Sequence, residues 1–292
     1  NEAKLLHFSA LPFDEAKTAS YMGLKTFRPV EIQASGIDRP DERHGNKYIV
    51  TAPGYRMKFK GIEDYRNDNG RVLEINLADE ATGLNTVTRI QFYDGVSVAR
   101  FVTEVINKGD ETYGIEYISS FNLSGIEKEG ETSQEEKIEI HIPHNSWCRE
   151  MQWRKYSLHD LGMDECMETL EQHSSKPIRI SNAGNWSTKE FLPMALIRNN
   201  ETDSNLFFQI ENNGSWHWEI SDTEGHLYLS VSGPNEIYSH WYKRLKPDEK
   251  FVTVPVAVGS AKGSYETAFG ELTKYRRKIR IRYTENRTYL VQ

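Results

Sequence analysis

The stretch Ser97-Val-Ala-Arg-Phe-Val-Thr-Glu-Val-Ile106 indicates the fold class of this chain. Its apolar side chains alternate with polar ones, as expected for a half-buried strand, in which successive side chains point to opposite faces. The same alternation recurs along the chain, at residues 71–77, 136–142, 206–211, 215–220 and 226–231. The dominant period is therefore two, which predicts an all-β protein.

Turn signals separate these stretches: Asn69-Gly70, Asp94-Gly95, Lys108-Gly109, Asn213-Gly214 and Gly233-Pro234. Asn-Gly and Asp-Gly tolerate the positive φ angles that tight hairpins need, so several neighbouring strands are expected to pair antiparallel. Residues 252–258 are almost entirely apolar, which predicts a strand covered on both faces. Roughly a dozen or more strands at this spacing predict a β-sandwich or barrel.

Two segments depart from the β pattern. Residues 164–172 are predicted to form a short helix. A longer amphipathic helix is predicted to begin after Ser264, a natural N-cap, and its apolar stripe contains Tyr265, Ala268, Phe269, Leu272, Tyr275 and Ile279. The basic residues that follow either complement the helix dipole or form a docking surface: Lys274, Arg276, Arg277, Lys278, Arg280 and Arg282. A polar stretch at 174–177 is interpreted as joining two halves of one sandwich.

Composition excludes several classes of protein. The 292 residues include 36 basic and 43 acidic side chains and carry a net charge of −7, which is not the charge of a nucleic-acid-binding surface. The aromatic content excludes a disordered chain, and no apolar run is long enough to predict a membrane-spanning helix. With only Cys148 and Cys166, a disulfide framework is impossible, and two unpaired thiols are expected, although one bridge stays open. The sequence indicates no cellular compartment.

Motifs for common chemistry are absent from the sequence. It has no phosphate-binding or dinucleotide loop and no Gly-x-Ser-x-Gly elbow. His141, His144 and Cys148 resemble a metal-ligand cluster, but their spacing is too common to be specific, and ordinary hydrogen bonds are expected. Adjacent acids at 63–64, 135–136 and 164–165 lie in polar surroundings and are expected to be solvated, and neighbours in a strand would point to opposite faces. No metal and no cofactor is therefore predicted.

The segment Pro143-His-Asn-Ser-Trp-Cys-Arg-Glu-Met-Gln-Trp153 is the candidate binding site. Indole faces pack against the apolar C–H faces of sugar rings, and the neighbouring Arg, His and Asn side chains can reach the hydroxyl groups. The alternative is that both Trp residues anchor a core or an interface, where Trp is equally favoured. The residues themselves leave both interpretations open.

The segment His141-Ile-Pro-His-Asn-Ser-Trp147 resembles the N-terminal domain of glycoside hydrolase family 36 α-galactosidases. The resemblance extends in order from about residue 43 to residue 280. Its other blocks lie at residues 92–95, 116–121, 185–193, 209–219, 245–247, 254–259 and 272–277. The resemblance implies a β-supersandwich, similar to galactose mutarotase, that precedes a (β/α)₈ barrel. It also implies a parent enzyme that hydrolyses terminal α-galactosides with retention and assembles as a homo-oligomer.

The family position that approaches bound sugar corresponds to Trp147, and Arg149 and Trp153 join it as candidate substrate-binding residues because they lie nearby. The family's nucleophile and acid/base are aspartates of the barrel, which needs roughly 200 to 250 residues, and no Lys-Trp-Asp motif occurs here. We therefore expect residues 1–280 to form a single supersandwich domain and residues 281–292 to be a tail or a truncated linker toward an absent barrel.

These expectations place no catalytic residue in this chain, which alone should be inactive. Its partners would be α-galactoside oligosaccharides, bound through the parent enzyme, the catalytic barrel and further copies of itself, with neither nucleic acid nor membrane. Two alternatives come from other classes of protein. One is a self-sufficient carbohydrate-binding module. The other is an aldose epimerase-like protein, which would need a His and a carboxylate across an open sandwich face.

Overall fold

Two antiparallel β-sheets packed face to face make up most of the computed structural model, which describes residues 2–38, 47–163 and 176–280. The strands in these ranges are β1 (Ile32–Ala34), β2 (Lys58–Asn67), β3 (Gly70–Asp79), β4 (Leu84–Phe92), β5 (Val98–Asn107), β6 (Tyr113–Ser124), β7 (Ile138–His144), β8 (Gln152–Ser157), β9 (Ile178–Asn182), β10 (Met194–Asn199), β11 (Ser204–Ile210), β12 (Trp216–Thr223), β13 (His226–Ser232), β14 (Lys243–Leu245), β15 (Lys250–Val252) and β16 (Val256–Lys262). The α-helices are α1 (Glu15–Ala19), α2 (Gln134–Lys137), α3 (Glu236–Ser239) and α4 (Tyr265–Ile279).

The larger sheet has the strand order β2-β3-β4-β5-β16-β11-β10-β7-β8, with β15 also paired to β5. The smaller sheet has the order β1-β6-β13-β12-β9, with β14 also paired to β6. Strands from before and after the polar stretch at 174–177 lie side by side in both sheets. The fold is the predicted all-β supersandwich with a C-terminal amphipathic helix.

The main core lies between the two sheets and follows from the period of two. On β12, Trp216, Trp218 and Ile220 point inward, and all three are fully buried. The ring of Trp218 meets the ring of Phe208 on β11 edge to face, with centroids 5.7 Å apart. The outward-pointing residues of β12 are polar and also buried: His217, Glu219, Ser221 and Thr223.

Helix α4 covers the outer face of the larger sheet. Ser264 precedes it at the predicted N-cap position, and Leu272 and Tyr275 pack on the sheet in a cluster with Phe207. The hydroxyl of Tyr275 donates to Glu211, 2.7 Å away. The amphipathic-helix prediction is confirmed. Tyr265 is an exception, because this member of the predicted apolar stripe is exposed.

The predicted turns have two different outcomes. Asn69-Gly70 closes the β2–β3 hairpin, and Asp94-Gly95 joins β4 to its antiparallel neighbour β5. Asn213-Gly214 joins no hairpin, because it connects β11 in the larger sheet to β12 in the smaller one. Local turn chemistry permits a reversal, but the sheet that receives the next strand is decided by where its apolar face is buried.

Two strand predictions are corrected by the structure. Residues 252–258 are not one strand, since β15 ends at Val252 and β16 begins at Val256. Pro255 has no N–H to donate, and between the two strands Thr253 Oγ1 accepts from the backbone N–H of Thr103 at 2.9 Å. Val252 is also exposed rather than covered on both faces. The strand predicted from Glu136 begins only at Ile138.

The helix predicted at residues 164–172, Cys166 and the tail at 281–292 lie outside the described residues. Within the described ranges, no helix has both the length and the apolar character needed to span a membrane.

Candidate functional site

Two neighbouring loops at one end of the sandwich present a pair of exposed indoles. Residues 145–151 connect β7 to β8, and residues 183–193 connect β9 to β10. The side chain of Trp147 is 77% exposed and that of Trp186 is 44% exposed. Their ring centroids lie 6.3 Å apart and the ring planes meet at 83°. The loops therefore form an aromatic corner, by which we mean the side chains of Trp147 and Trp186.

Asn145 fastens the two loops to each other. Its backbone N–H donates to the carbonyl of Glu190, 2.8 Å away, and its side-chain amide donates to the carbonyl of Thr188. Its side-chain oxygen accepts from the backbone N–H of Met151 at 3.0 Å. One side chain thus spans both loops.

Further hydrogen bonds fix the backbone on each side of the corner. Ser146 and Arg149 exchange backbone hydrogen bonds of 3.1 and 2.9 Å, which closes a tight turn around Trp147. The indole N–H of the fully buried Trp216 donates to the carbonyl of Ser187, 2.7 Å away, and so ties the neighbour of Trp186 to the core. The backbone that carries the two exposed indoles is therefore held by hydrogen bonds on both loops.

Substituting Ala for Asn145 is expected to loosen both loops together. The change removes two side-chain hydrogen bonds, each worth about 0.5–1.5 kcal/mol. Hydrogen exchange of the backbone amides at 145–151 and 186–191 should accelerate in concert, while exchange in β12 stays unchanged. Asn212→Ala is the matched control, because its side chain donates within its own turn, to Ser215. Acceleration confined to 145–151 would contradict the role of Asn145 as a link between loops.

The predicted site residues separate in the structure. Arg149 lies with Trp147 on the exposed turn. Trp153 lies on β8, where its ring packs on Phe269 of α4 with centroids 5.0 Å apart. It lines a groove beside that helix together with Arg276, Arg277 and Arg280. Trp186 instead completes the corner, and the sequence analysis did not propose it as a site residue, because its proximity to Trp147 depends on the pairing of distant loops.

The histidines of this region make ordinary contacts. His144 Nε2 lies 2.8 Å from the hydroxyl of Tyr156, and His141 Nε2 lies 3.6 Å from a carboxylate oxygen of Glu139. Burial lowers the pKa of His141 although Glu139 works to raise it. In the part of the chain that the structure describes, no group of three His, Cys, Asp or Glu side chains is arranged to hold a metal ion. Cys148 is an exposed free thiol.

A second polar cluster lies on the outer face of the smaller sheet. His217 and Glu219 project from β12, with His217 Nε2 and Glu219 Oε2 3.4 Å apart. Arg179 Nε donates to the same carboxylate at 3.1 Å, and the hydroxyl of Tyr228 donates to its other oxygen at 2.6 Å. A His and a carboxylate are therefore paired on one sheet face, the arrangement that an epimerase-like protein would need.

This cluster is sealed from solvent. The backbone N–H of Tyr48 donates to Glu219 at 2.5 Å, and its ring stacks on Tyr117 with centroids 3.7 Å apart. The ring of Tyr238 lies parallel to that of His217, 4.9 Å away. His217 and Glu219 have no exposed side-chain surface, so a substrate could reach them only if the covering segments moved.

Electrostatics give the sealed cluster a fixed charge state. Burial lowers the pKa of His217, although Glu219 works to raise it, so its imidazole is neutral at pH 7. Burial alone would raise the pKa of Glu219, but its contacts with His217, Arg179 and Tyr228 outweigh it and hold that pKa below its ordinary value. The carboxylate is thus ionised and is bound by Arg179, which is typical of a structural ion pair. In contrast to this sealed cluster, the side chains of the aromatic corner are exposed to solvent.

No protein-family model and no curated protein sequence matches the chain. Solved structures do match. An α-galactosidase from Lactobacillus brevis is 11% identical with a TM-score of 0.63, and the match covers 86% of this chain and 31% of that one. The galactosidase domain of the α-galactosidase–sucrose kinase AgaSK is 15% identical with a TM-score of 0.64, covering 92% and 36%.

A third match is a variant of the GH36 α-galactosidase AgaA from Geobacillus stearothermophilus in complex with stachyose. It is 16% identical with a TM-score of 0.63, covering 94% of this chain and 37% of that one. The chain thus spans about a third of the length of these α-galactosidase chains and shares its fold with that third. At the level of the fold, the resemblance read from the sequence is confirmed.

Proposed function

We propose that this chain is the N-terminal, non-catalytic supersandwich domain of a retaining α-galactosidase, in which it contributes oligomer contacts and one wall of the sugar pocket. The observation that carries the proposal is the unequal coverage of the structural matches. They take in 86–94% of this chain but only 31–37% of the α-galactosidase chains. A domain that occurs as one part of a larger hydrolase accounts for this difference.

The aromatic corner supports a role at a sugar pocket. An indole face is apolar and flat, and it packs on the C–H face of a sugar ring, while nearby polar groups hold the hydroxyls. Trp147 offers such a face, and the exposed residue Arg149 lies on the same turn. The corner lies on ordered loops, so little conformational entropy is lost when a ligand binds.

The assignment is tested by the gene and by an assay. We expect the DNA downstream of the codon for Gln292 to encode a (β/α)₈ barrel with aspartates at the ends of its strands. The isolated chain should not hydrolyse p-nitrophenyl α-galactoside. Turnover by the purified chain would place catalytic groups within it and would overturn the proposal, as would downstream DNA that encodes an unrelated protein.

Replacing Trp147 by Ala in the complete enzyme is expected to raise KM for α-galactosides about fivefold, because one aromatic contact of about 1 kcal/mol is lost. The melting temperature should stay the same, since the exposed side chain adds little to the core. Tyr265→Ala is the control, because Tyr265 is an exposed aromatic residue on α4. Unchanged kinetics in the Trp147 variant would show that this side chain does not touch substrate.

The two rival functions predict different results. A self-sufficient carbohydrate-binding module would bind galactosides tightly enough for calorimetry with this chain alone. An epimerase-like protein would speed the mutarotation of α-galactose followed by polarimetry. Among the His–carboxylate pairs of the described residues, the pair on the face of β12, His217 and Glu219, is sealed and lacks the open face that the chemistry needs.

A further inference from the structure

The two indoles of the aromatic corner are oriented so that a single sugar ring can stack on only one of them. Trp147 and Trp186 stand at 83° to each other with their centroids 6.3 Å apart. One flat ring can stack on only one of two perpendicular faces. Trp186 keeps 44% of its side chain exposed, so it can contact a ring attached to the first at an angle, as consecutive rings of an oligosaccharide are.

The size of the corner fits a small ligand better than a protein. A complete Trp side chain offers up to about 250 Å², so the two partly exposed indoles offer about 300 Å² together. Each partner of a stable protein interface contributes about 800 Å². The same loops carry the exposed charged residues Arg149, Lys189 and Glu190, whose side chains are donors and acceptors of the kind that sugar hydroxyls need.

The hydrogen bonds that hold the loop around Trp186 do not explain why its indole is exposed. The backbone of this loop is anchored independently, through the Trp216 indole to Ser187 and through Asn145 to Thr188 and Glu190. These hydrogen bonds do not involve the Trp186 ring. Because Trp186 contacts Trp147, the two exposed indoles form one contiguous apolar patch, which is more typical of a binding surface than a single exposed side chain is.

We propose that Trp147 and Trp186 bind two consecutive rings of an α-galactoside oligosaccharide, Trp147 the terminal galactose and Trp186 the ring that follows it. This inference rests on the proposed function for the identity of the first ring. It adds that Trp186 sets a preference for oligosaccharides over single galactosides. Because the corner has only two walls, binding to the chain alone is expected near the millimolar range.

The test uses the ¹⁵N-labelled chain, whose six Trp residues give six indole N–H resonances. Raffinose should shift the resonances of Trp147 and Trp186, and methyl α-galactoside should shift that of Trp147 alone. The buried indoles of Trp216 and Trp218 report whether the fold is intact. Trp186→Ala should weaken raffinose binding about fivefold, to the level of methyl α-galactoside, and leave binding of the single galactoside unchanged. Tyr242→Ala, an exposed aromatic residue on another part of the fold, should change neither.

The outcomes separate the inference from the function on which it rests. If the Trp186 variant keeps the full preference for raffinose while Trp147→Ala loses both sugars, the two-ring inference is wrong and the sugar pocket stands. If cellotriose shifts both indoles as strongly as raffinose does, the corner binds consecutive rings, but its assignment to α-galactosides is wrong. If no sugar moves either resonance, or if the Trp variants change the sedimentation behaviour of the chain, the corner is not a sugar site.

Discussion

Replacing Glu219 by Ala is expected to lower the free energy of unfolding by about 3–5 kcal/mol, the range found when one partner of a buried ion pair is removed. The buried carboxylate accepts from Arg179, from the hydroxyl of Tyr228 and from the backbone N–H of Tyr48. Without it, the Arg179 guanidinium, the hydroxyl of Tyr228 and the backbone N–H of Tyr48 each lose a buried hydrogen bond to a charged group. Urea unfolding followed by Trp fluorescence measures the loss.

Two control variants separate the effect of the charge from that of the hydrogen bonds, and a buried ion pair from an exposed one. Glu219→Gln keeps an oxygen that can accept from Tyr48 and Tyr228 and removes only the charge, so it should cost less than Ala. Asp64→Ala removes an exposed carboxylate that lies 2.5 Å from Arg71, and exposed pairs contribute less than about 1 kcal/mol. If Glu219→Ala lowers the free energy of unfolding no more than Asp64→Ala does, the sealed cluster does not hold the covering segment 47–57 on the smaller sheet.

Glu31→Gln is expected to make the protein more stable at pH 8, by about 1–3 kcal/mol. Glu31 is fully buried and accepts from the backbone N–H and the hydroxyl of Thr51, at 2.8 and 2.6 Å. Burial raises the pKa of Glu31 from 4.5 to about 7, against the lowering effect of those hydrogen bonds and of Arg28. Gln can accept the same hydrogen bonds. It stays neutral at pH 8, so no buried charge has to form.

The direction with pH follows from the raised pKa. Below pH 4.5, both the folded and the unfolded chain hold the Glu31 proton, and the contribution of this group to stability is fully present. As the pH rises from 4.5 to about 7, the unfolded chain releases the proton first, so that contribution is lost. The gap between the two pKa values corresponds to about 3 kcal/mol.

The difference in unfolding free energy between the wild type and Glu31→Gln should therefore change between pH 4.5 and pH 8 and be constant above pH 8. Taking the difference cancels the other titrating groups of the protein. A difference that is the same at both pH values would show that Glu31 titrates normally in the folded chain.

The two buried carboxylates perform related tasks. Each holds part of the segment 47–57 against the outer face of the smaller sheet, Glu219 through Tyr48 and Glu31 through Thr51. The outer face of the smaller sheet carries His217 and Glu219, which would be exposed if segment 47–57 did not cover them. In this chain segment 47–57 covers that face, whereas the two indoles of the aromatic corner are exposed.

Most of the fold was accessible to sequence reasoning because it depends on local regularities. Alternation over residues 97–106 and 215–231 places one face of each strand in the core wherever the strand lies, and the apolar stripe of α4 does the same with a helical period. The strand predicted at 252–258 was wrong where one proline interrupts the ladder. The resemblance to α-galactosidases, carried by short ordered blocks, was confirmed as a likeness of fold.

The sequence by itself determined the strand faces, the C-terminal helix and Trp147 as a candidate residue, because each depends on neighbours along the chain. Only the tertiary structure decided that Trp186 stands beside Trp147, that Trp153 faces α4 and that His217 and Glu219 are sealed. Each of these depends on contacts between segments tens of residues apart. The position of such segments is set by the free energy of packing the whole core and by no pattern within either segment.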